Sequence, residues 1–201
     1  MQTLWINSAD EVTERDGVRV PEIHVVRSGR LEAPHQTWGP AGATMFESRC
    51  RDWRERVASG ERILVRPHHA DVLSDVQRCL TFARSERGGL LLAIDPAGLL
   101  APSMIDRAED HMGRFVGATR DCPALGAIVL TSVEVESTAD GPVTRSVTID
   151  RGMLPARLMR DTARLLAEIA LARRVPLILM SDRASEQQAL LDSWIRARPE
   201  P

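Results

Sequence analysis

The sequence predicts an α/β protein with mainly parallel strands and helices packed outside the sheet. Two short apolar runs of strand length, 62–67 and 90–95, each end abruptly in polar residues and a proline. A helix-like stretch of about twenty residues lies between them, and this is the pattern of a βαβ unit with neighbouring parallel strands. Strand and helix patterns then keep alternating along the chain, which predicts a parallel sheet surrounded by helices.

The elements before the first strong strand are less regular. Leu4–Ile6 is a weak strand candidate, and 18–27 is rich in β-formers, with Pro21 indicating an edge or a bulge. Residues 28–42 contain three glycines and two prolines, which predicts a loop. Apolar residues at helical spacing predict a helix over 44–59.

After the first strong strand the order is regular. The predicted elements are helices at about 71–86, 104–115, 153–173 and 184–198, and strands at 90–95, 126–135, 143–149 and 176–180. The strand at 143–149 is expected to pair back on its predecessor across a turn at 138–142. Five or six strands are fewer than the eight of a closed (β/α) barrel.

We therefore expect a single α/β domain over 1–201, a (β/α) barrel-like fold that is shortened or incomplete. Its parts are an atypical N-terminal segment, 1–42, and repeated βα units over 43–201. Missing units would expose strand edges, which proteins usually cover. A homodimer, closure of the barrel by residues 1–42, or an incomplete chain start would each account for the shortage.

The amino-acid composition indicates which kinds of binding partner to expect. The net charge is −2 and all 26 basic residues are arginine, so we expect neither nucleic acid nor a membrane surface as a partner. The three cysteines are widely spaced, as is typical of reduced thiols. The start shows no signal-peptide pattern, and no window of eighteen residues is uninterruptedly apolar. These features predict a cytoplasmic protein that binds a small molecule.

Candidate site residues follow the two strong strands. Arg66, His68 and His69 end the first and Asp95 ends the second, and the carboxyl ends of parallel strands carry the sites of α/β proteins. Because alternate side chains face the same way, Arg66 shares a face with Leu64, and Asp95 shares one with Leu91 and Ala93. If both sets point inward, Arg66 and Asp95 lie across from each other. We therefore predict an Arg66–Asp95 ion pair, or a close water-bridged contact.

Each candidate also has a structural interpretation. His68 and His69 either contact substrate and shuttle protons or are loop residues, one of them capping the next helix together with Asp71. Asp95 either acts as a base or ligand, or satisfies backbone donors at its strand end. Asp182 and Arg183 follow the last strand, where they either line the same mouth or cap the final helix.

Four segments together resemble the xylose-isomerase-like barrel superfamily, over about 44–182. They are Val65-Arg66-Pro67-His68-His69, Leu91-Leu92-Ala93-Ile94-Asp95-Pro96-Ala97-Gly98, Ile128-Val129-Leu130-Thr131-Ser132-Val133 and Leu177-Ile178-Leu179-Met180-Ser181-Asp182. The superfamily includes sugar-phosphate isomerases and epimerases and the endonuclease IV type of nuclease. The resemblance implies a TIM barrel and a divalent metal.

The chain departs from the superfamily pattern at the positions where the family binds its metal. Arg66 stands where the family has a metal-binding glutamate, and Gly98 occupies the region of a histidine. Thr131 and Ser132 replace a His-x-x-Asp element, so Asp95 alone is retained among the expected ligands. One carboxylate beside an arginine does not make a divalent site. We therefore expect no metal and no cofactor, with the Arg66 guanidinium neutralising Asp95 instead.

Two functions follow from the sequence. The first is a sugar phosphate isomerase/epimerase-like protein that acts on or binds a small phosphorylated or carboxylated sugar-type ligand. Its catalytic residues would be His68, His69 and Asp95, and its substrate-binding residues Arg66, Asp182 and Arg183. The second is a catalytically inactive relative that serves as a ligand-binding or protein-interaction module. A nuclease is disfavoured because the metal ligands and a basic stripe are both missing.

Overall fold

The structure is a computed structural model that describes residues 2–6, 11–13, 19–139 and 141–196. Within these residues the strands are β1 (Thr3–Ile6), β2 (Glu11–Thr13), β3 (Arg19–Arg27), β4 (Arg62–Arg66), β5 (Leu91–Ile94), β6 (Leu125–Leu130), β7 (Ser132–Thr138), β8 (Gly141–Val147) and β9 (Leu177–Met180). The α-helices are α1 (Pro34–Thr37), α2 (Pro40–Ala58), α3 (Val76–Ser85), α4 (Ala108–Asp121), α5 (Ala156–Arg173) and α6 (Ala184–Arg196). Val18, Asp140 and 197–198, which the sequence assigns to predicted elements, lie outside the described residues.

Seven strands form a closed barrel in the order β1-β2-β3-β4-β5-β6-β9. The ladders from β3 through β9 and back to β1 are parallel. Strand β2 is antiparallel to both of its neighbours. The α/β barrel-like class and the outer helices predicted from the sequence are therefore confirmed.

The N-terminal segment completes the ring. Strand β1 pairs with β9 from Thr3↔Leu177 to Ile6↔Met180, and β3 pairs with β4. Strand β2, which the sequence analysis missed, bridges the gap between β1 and β3 without any helix. Closure by residues 1–42 thus covers the strand edges, and it removes the reason for expecting a dimer. The oligomeric state itself stays a prediction.

Side chains on the strands separate into two apolar layers. The layer inside the barrel consists of Leu4, Ile6, Val12, Val25, Leu64, Ala93, Ala127, Val129 and Ile178. Their outward neighbours, such as Ile63 and Val65 on β4, pack against the helices. This alternation follows from the two-residue period of a strand, and it directs Arg66 into the barrel as predicted.

The barrel interior is narrow, so it takes small side chains on β5 and β6. A methyl group on Gly126 would approach Leu91 Cβ to 2.6 Å and Leu64 Cδ2 to 2.7 Å. Ala93 and Ala127 are fully buried in the same layer. An interior filled by side chains is a packed core, which leaves room for a ligand only at the ends.

Several helix boundaries differ from the predictions, and those of α1, α2 and α3 have identifiable causes. Helices α1 and α2 begin at Pro34 and Pro40, inside the segment predicted as a loop, because proline fits the first turn of a helix where its missing N–H has no partner to lose. Helix α3 begins at Val76 instead of about 71, because the Asp75 carboxylate accepts a hydrogen bond from the Arg78 amide at 2.9 Å. This capping bond fixes the start of the helix.

The strand predicted over 126–135 is two strands. Strand β6 stays in the barrel, whereas β7 leaves it and pairs with β8 in a separate two-stranded hairpin, the pairing that the turn composition predicts. The break lies at Thr131, whose hydroxyl donates to Asp95 Oδ1 at 2.9 Å. We attribute the change of direction to this contact.

Within the part of the chain that the structure describes, no helix has both the length and the apolar character needed to cross a bilayer.

Candidate functional site

The predicted ion pair lies at the carboxyl ends of β4 and β5. Leu64 pairs with Leu91 and Val65 with Leu92, so the inward position after Leu64 is Arg66, and those after Leu91 are Ala93 and then Asp95. The long side chain of Arg66 reaches along the barrel axis to Asp95. Arg66 Nη2 and Nε donate to Asp95 Oδ2 at 2.6 Å and 3.1 Å. The side chains are 6% and 0% exposed, so the pair is buried and the prediction of a direct contact is confirmed.

Both oxygens of Asp95 are occupied. Oδ1 accepts from the Gly98 amide at 3.0 Å and from Thr131 Oγ1 at 2.9 Å, while Ser146 Oγ lies 3.3 Å from Oδ2. A methyl group on Gly98 would approach Oδ2 to 2.7 Å, so the loop after β5 packs directly on the carboxylate. This geometry makes Asp95 the anchor that positions Arg66, while its predicted catalytic role stays a prediction.

The residues at this position do not fit the divalent metal that the family resemblance implies. A metal beside Asp95 would have to displace the guanidinium of Arg66, which supplies a positive charge and two hydrogen bonds to the same oxygen. A further cation would be repelled there. Among the residues that the structure describes, no group of three or more His, Cys, Asp or Glu side chains is arranged to hold a metal ion.

His68 and His69 follow β4 and stack on each other, with ring centroids 4.4 Å apart. His68 Nδ1 accepts from the Ala70 amide at 3.2 Å, which places its proton on Nε2. Burial first, and the positive charge of Arg27 second, lower the pKa of His68 from 6.5 to about 2. His68 is therefore a neutral hydrogen-bond donor.

His69 faces a different partner. Its Nε2 accepts from the Thr144 amide on β8 at 3.3 Å, and burial lowers its pKa as well. The Thr144 hydroxyl donates to the Leu100 carbonyl at 2.7 Å. These two hydrogen bonds hold the β7–β8 hairpin over the barrel mouth, so His69 stabilises the position of the hairpin.

The hairpin and the strand ends enclose a cavity of about 860 Å³, which we call the mouth cavity. Of the residues predicted for the site, those that line it are Arg66, His68, Asp182 and Arg183. Asp95 is fully buried behind Arg66, and His69 lies beneath the hairpin. The predicted cap of the helix after β4 by a histidine together with Asp71 is wrong, because Asp75 caps α3, whereas the predicted capping of α6 by Asp182 and Arg183 stays a prediction.

Sequence reasoning missed the contribution of β3. Arg27 ends this strand and donates to both oxygens of Asp71, at 2.8 Å from Nε and 3.1 Å from Nη2. Asp71 is 2% exposed and also accepts from the Gly29 amide at 3.3 Å. The rule that located Arg66 at its strand end also applies to Arg27, so this signal was present in the sequence.

The hairpin residues could not be found in this way. Ser146 Oγ accepts from Arg66 Nη2 at 3.0 Å, across eighty positions of the chain. The cavity wall also includes Thr144 and Thr148 of the same segment. Nothing in their local pattern indicates that they return to the barrel mouth.

The carboxyl end of β9 completes the wall with Asp182 and Arg183. Arg183 forms an ion pair with Asp150 in the turn after β8. Gln187 of α6 is buried, donates to the Met180 carbonyl at 2.8 Å and accepts from the Ile149 amide at 3.2 Å. The turn after β8 is therefore fixed to the end of β9.

The comparisons with known proteins identify the fold. No protein-family model matches the sequence, and no curated protein matches it. A xylose isomerase-like TIM barrel protein from Mycobacterium smegmatis, solved in complex with magnesium, aligns with a TM-score of 0.54 and 11% identity over 88% of this chain and 62% of that one. The probable 3-DHS dehydratase AsbF of Bacillus anthracis, involved in petrobactin synthesis, aligns with a TM-score of 0.55 and 10% identity over 87% of this chain and 64% of that one.

This chain shares the TIM-barrel-like α/β fold of these solved structures, as its sequence predicts. It spans less than two thirds of the length of either solved structure. At such low identities the likeness shows the fold, and the chemistry has to be argued from the residues of this chain.

Proposed function

We propose that the protein binds a small phosphorylated or carboxylated sugar-type ligand in the mouth cavity. We further propose that it acts on this ligand as an isomerase- or epimerase-like enzyme that lacks the family's full metal site. The observation that carries the proposal is the composition of the cavity wall. Guanidinium groups, hydroxyls and carboxylates line one space at the carboxyl ends of the strands, where proteins of this architecture hold their substrates.

Each kind of side chain matches a part of such a ligand. Six arginines line the wall, and a guanidinium binds carboxylate or phosphate with a planar pair of donors. They are Arg27, Arg30, Arg66, Arg145, Arg151 and Arg183. Glu136 and Asp182 line it too, and carboxylates accept hydrogen bonds from sugar hydroxyls. The volume of about 860 Å³ lies within the range of small-molecule sites.

Isomerisation or epimerisation moves a proton at a carbon next to a carbonyl. In the proposed reaction the Nε2–H of neutral His68 donates to the carbonyl oxygen while the exposed carboxylate of Asp182 takes the proton from the neighbouring carbon, which leaves an enediol. Asp182 then returns the proton to the former carbonyl carbon to complete an isomerisation, or water delivers a proton to the opposite face of the original carbon to complete an epimerisation. Arg66 lies beside His68 on the cavity floor, where its fixed charge stabilises developing negative charge on the ligand oxygen.

A second candidate function is ligand binding without catalysis. It is favoured by one observation, namely that the buried groups nearest the floor are not poised to take a proton. Both oxygens of Asp95 are occupied, and the pKa of His68 is far below neutral. The two functions differ in whether the bound ligand exchanges a carbon-bound proton.

The test combines calorimetry with proton NMR. Glucose, glucose 6-phosphate and gluconate are titrated at constant ionic strength, and we expect saturable binding of the two acids but not of glucose. The double variant Arg30→Gln/Arg151→Gln, changed at the cavity wall, should weaken binding of the acids, whereas Arg157→Gln, on the outer surface of α5 with an 85% exposed side chain, should leave it unchanged.

Bound glucose 6-phosphate is then incubated in D₂O. Loss of the C2 proton signal supports the enzyme, and binding without exchange supports the non-catalytic alternative. Absence of saturable binding for both acids would refute the proposed function.

A further inference from the structure

Thr148 carries a buried hydroxyl without a partner. Its side chain is at the wall of the mouth cavity and the residue is 5% exposed. Thr148 Oγ1 has no hydrogen-bond partner among the described residues. Buried polar groups are nearly always paired, so this unpaired hydroxyl in a residue of the cavity wall is a candidate partner for a ligand atom.

A guanidinium group lies next to this hydroxyl. Arg151 also lines the cavity, and its amide donates to the Thr148 carbonyl at 3.0 Å, so the two residues close one tight turn. Arg151 is exposed and forms no ion pair with any carboxylate in the described parts of the chain. Its charge is therefore available to a ligand.

A second such guanidinium lies across the cavity. Arg30, just after β3, lines the same space and is exposed. Like Arg151, it forms no ion pair with an acid of the described ranges. The other four cavity arginines each form an ion pair. Arg27, Arg66 and Arg183 pair with an aspartate, and Arg145 pairs with Glu134.

The two available guanidiniums are on opposite sides of the mouth. Arg30 follows β3, whereas the turn with Arg151 is fixed to the end of β9 through Asp150 and Ile149. In the strand order of the barrel, β3 and β9 are three strands apart, which is the greatest separation in a ring of seven. One ligand that reaches both therefore spans the cavity.

We infer that the ligand carries two acidic groups, one at each end of a hydroxylated carbon chain. Arg30 binds one acidic group, and Arg151 together with the Thr148 hydroxyl binds the other. This inference rests on the proposed function and makes it more specific, since a carboxylate or phosphate at one end alone would leave one guanidinium unused.

The inference is tested with four ligands that share a chain of six carbons. Sorbitol has no acidic group, gluconate has one, and glucarate and 6-phosphogluconate each have two. Their binding to the full chain is measured by calorimetry at constant ionic strength. We expect glucarate or 6-phosphogluconate to bind about tenfold or more tightly than gluconate, because each charge-assisted pair adds to affinity.

Single arginine variants show which residue binds each acidic group of the ligand. Arg30→Gln and Arg151→Gln should each reduce the affinity for the doubly acidic ligand to that of gluconate. Gluconate itself should change by no more than about twofold, since its carboxylate can occupy either end. Arg157→Gln is the matched control on α5.

Thr148→Val keeps the shape of the side chain and removes the hydroxyl. We expect weaker binding of the doubly acidic ligand with an unchanged or higher Tm, because an unpaired buried hydroxyl contributes nothing to the fold. A lowered Tm with unchanged binding would assign the hydroxyl to the fold and overturn its role here.

Equal affinities for gluconate and both doubly acidic probes would overturn the inference and leave the proposed function standing. Failure of every acid to bind would overturn both.

Discussion

Replacing His68 with asparagine should remove part of the pH dependence of folding. In the folded protein His68 is buried between arginines and stays neutral, because burial lowers its pKa from 6.5 to about 2. In the unfolded chain the imidazole has its ordinary pKa and takes up a proton below pH 6.5. Stability is therefore complete above pH 6.5 and falls as the pH is lowered towards the folded pKa.

The expected loss follows from linkage. One additional proton bound by the unfolded state costs about 1.4 kcal/mol for each pH unit. Between pH 6.5 and pH 4.5 the contribution of His68 is then about 2.5 kcal/mol. Lowering of the pKa of His69 acts in the same direction, so the wild-type slope includes both residues.

The assay is urea unfolding at a series of pH values from 7 to 4.5, for wild type, His68→Asn and His35→Asn. Asparagine cannot titrate, and its side-chain oxygen can accept from the Ala70 amide in place of Nδ1. Carboxylates contribute equally to all three proteins, so the difference between wild type and His68→Asn isolates the imidazole. His35 is exposed on α1, and its replacement should retain the wild-type slope.

A His68→Asn variant that loses stability with falling pH as steeply as wild type would refute this reasoning. It would show that the histidine accepts a proton in the folded protein, and that its burial at the cavity floor is not energetically decisive.

Three further predictions concern stability, each measured by urea unfolding at neutral pH. Arg66→Met should lower the free energy of unfolding by about 3–5 kcal/mol because it leaves the Asp95 carboxylate buried and without its counter-charge. The double variant Arg66→Met/Asp95→Asn should recover most of that loss. Equal losses in the single and double variants would contradict the pairing. Gly98→Ala should destabilise by about 1–3 kcal/mol, since its methyl group would lie 2.7 Å from Asp95 Oδ2, and a neutral effect would show that the loop after β5 yields easily. Asp75→Ala should cost about 1 kcal/mol through loss of the α3 cap, and Asp75→Asn should retain most of this stability if the capping bond is the cause.

The part of the site that the sequence predicts depends on local rules. The Arg66–Asp95 contact was predictable because two strong apolar runs fix two adjacent parallel strands, and alternation then fixes which side chains face inward. The same alternation places Leu64 in the barrel interior. Such inferences need only the strand positions and the order of the elements.

The remaining features depend on contacts between distant positions. Strand β2 has three residues, of which only Val12 packs inside the barrel. Its sequence is too short to show a strand pattern, so the strand is recognised by its pairing with β1 and β3. The continuous run of β-formers over 126–135 conceals the change of direction at Thr131, the residue whose hydroxyl donates to Asp95. The loop before α3 is similarly shaped by the Arg27–Asp71 pair, across 44 positions.

The seam between β1 and β9 has a consequence for how the chain folds. It joins Thr3 to Leu177, so the barrel cannot close until two segments that are far apart in the sequence have come together. Contacts between such remote positions carry a high entropic cost and slow the search for the native topology. The nucleus is therefore expected among the consecutive parallel units β4 to β6, with the amino-terminal strand docking as the last step of assembly.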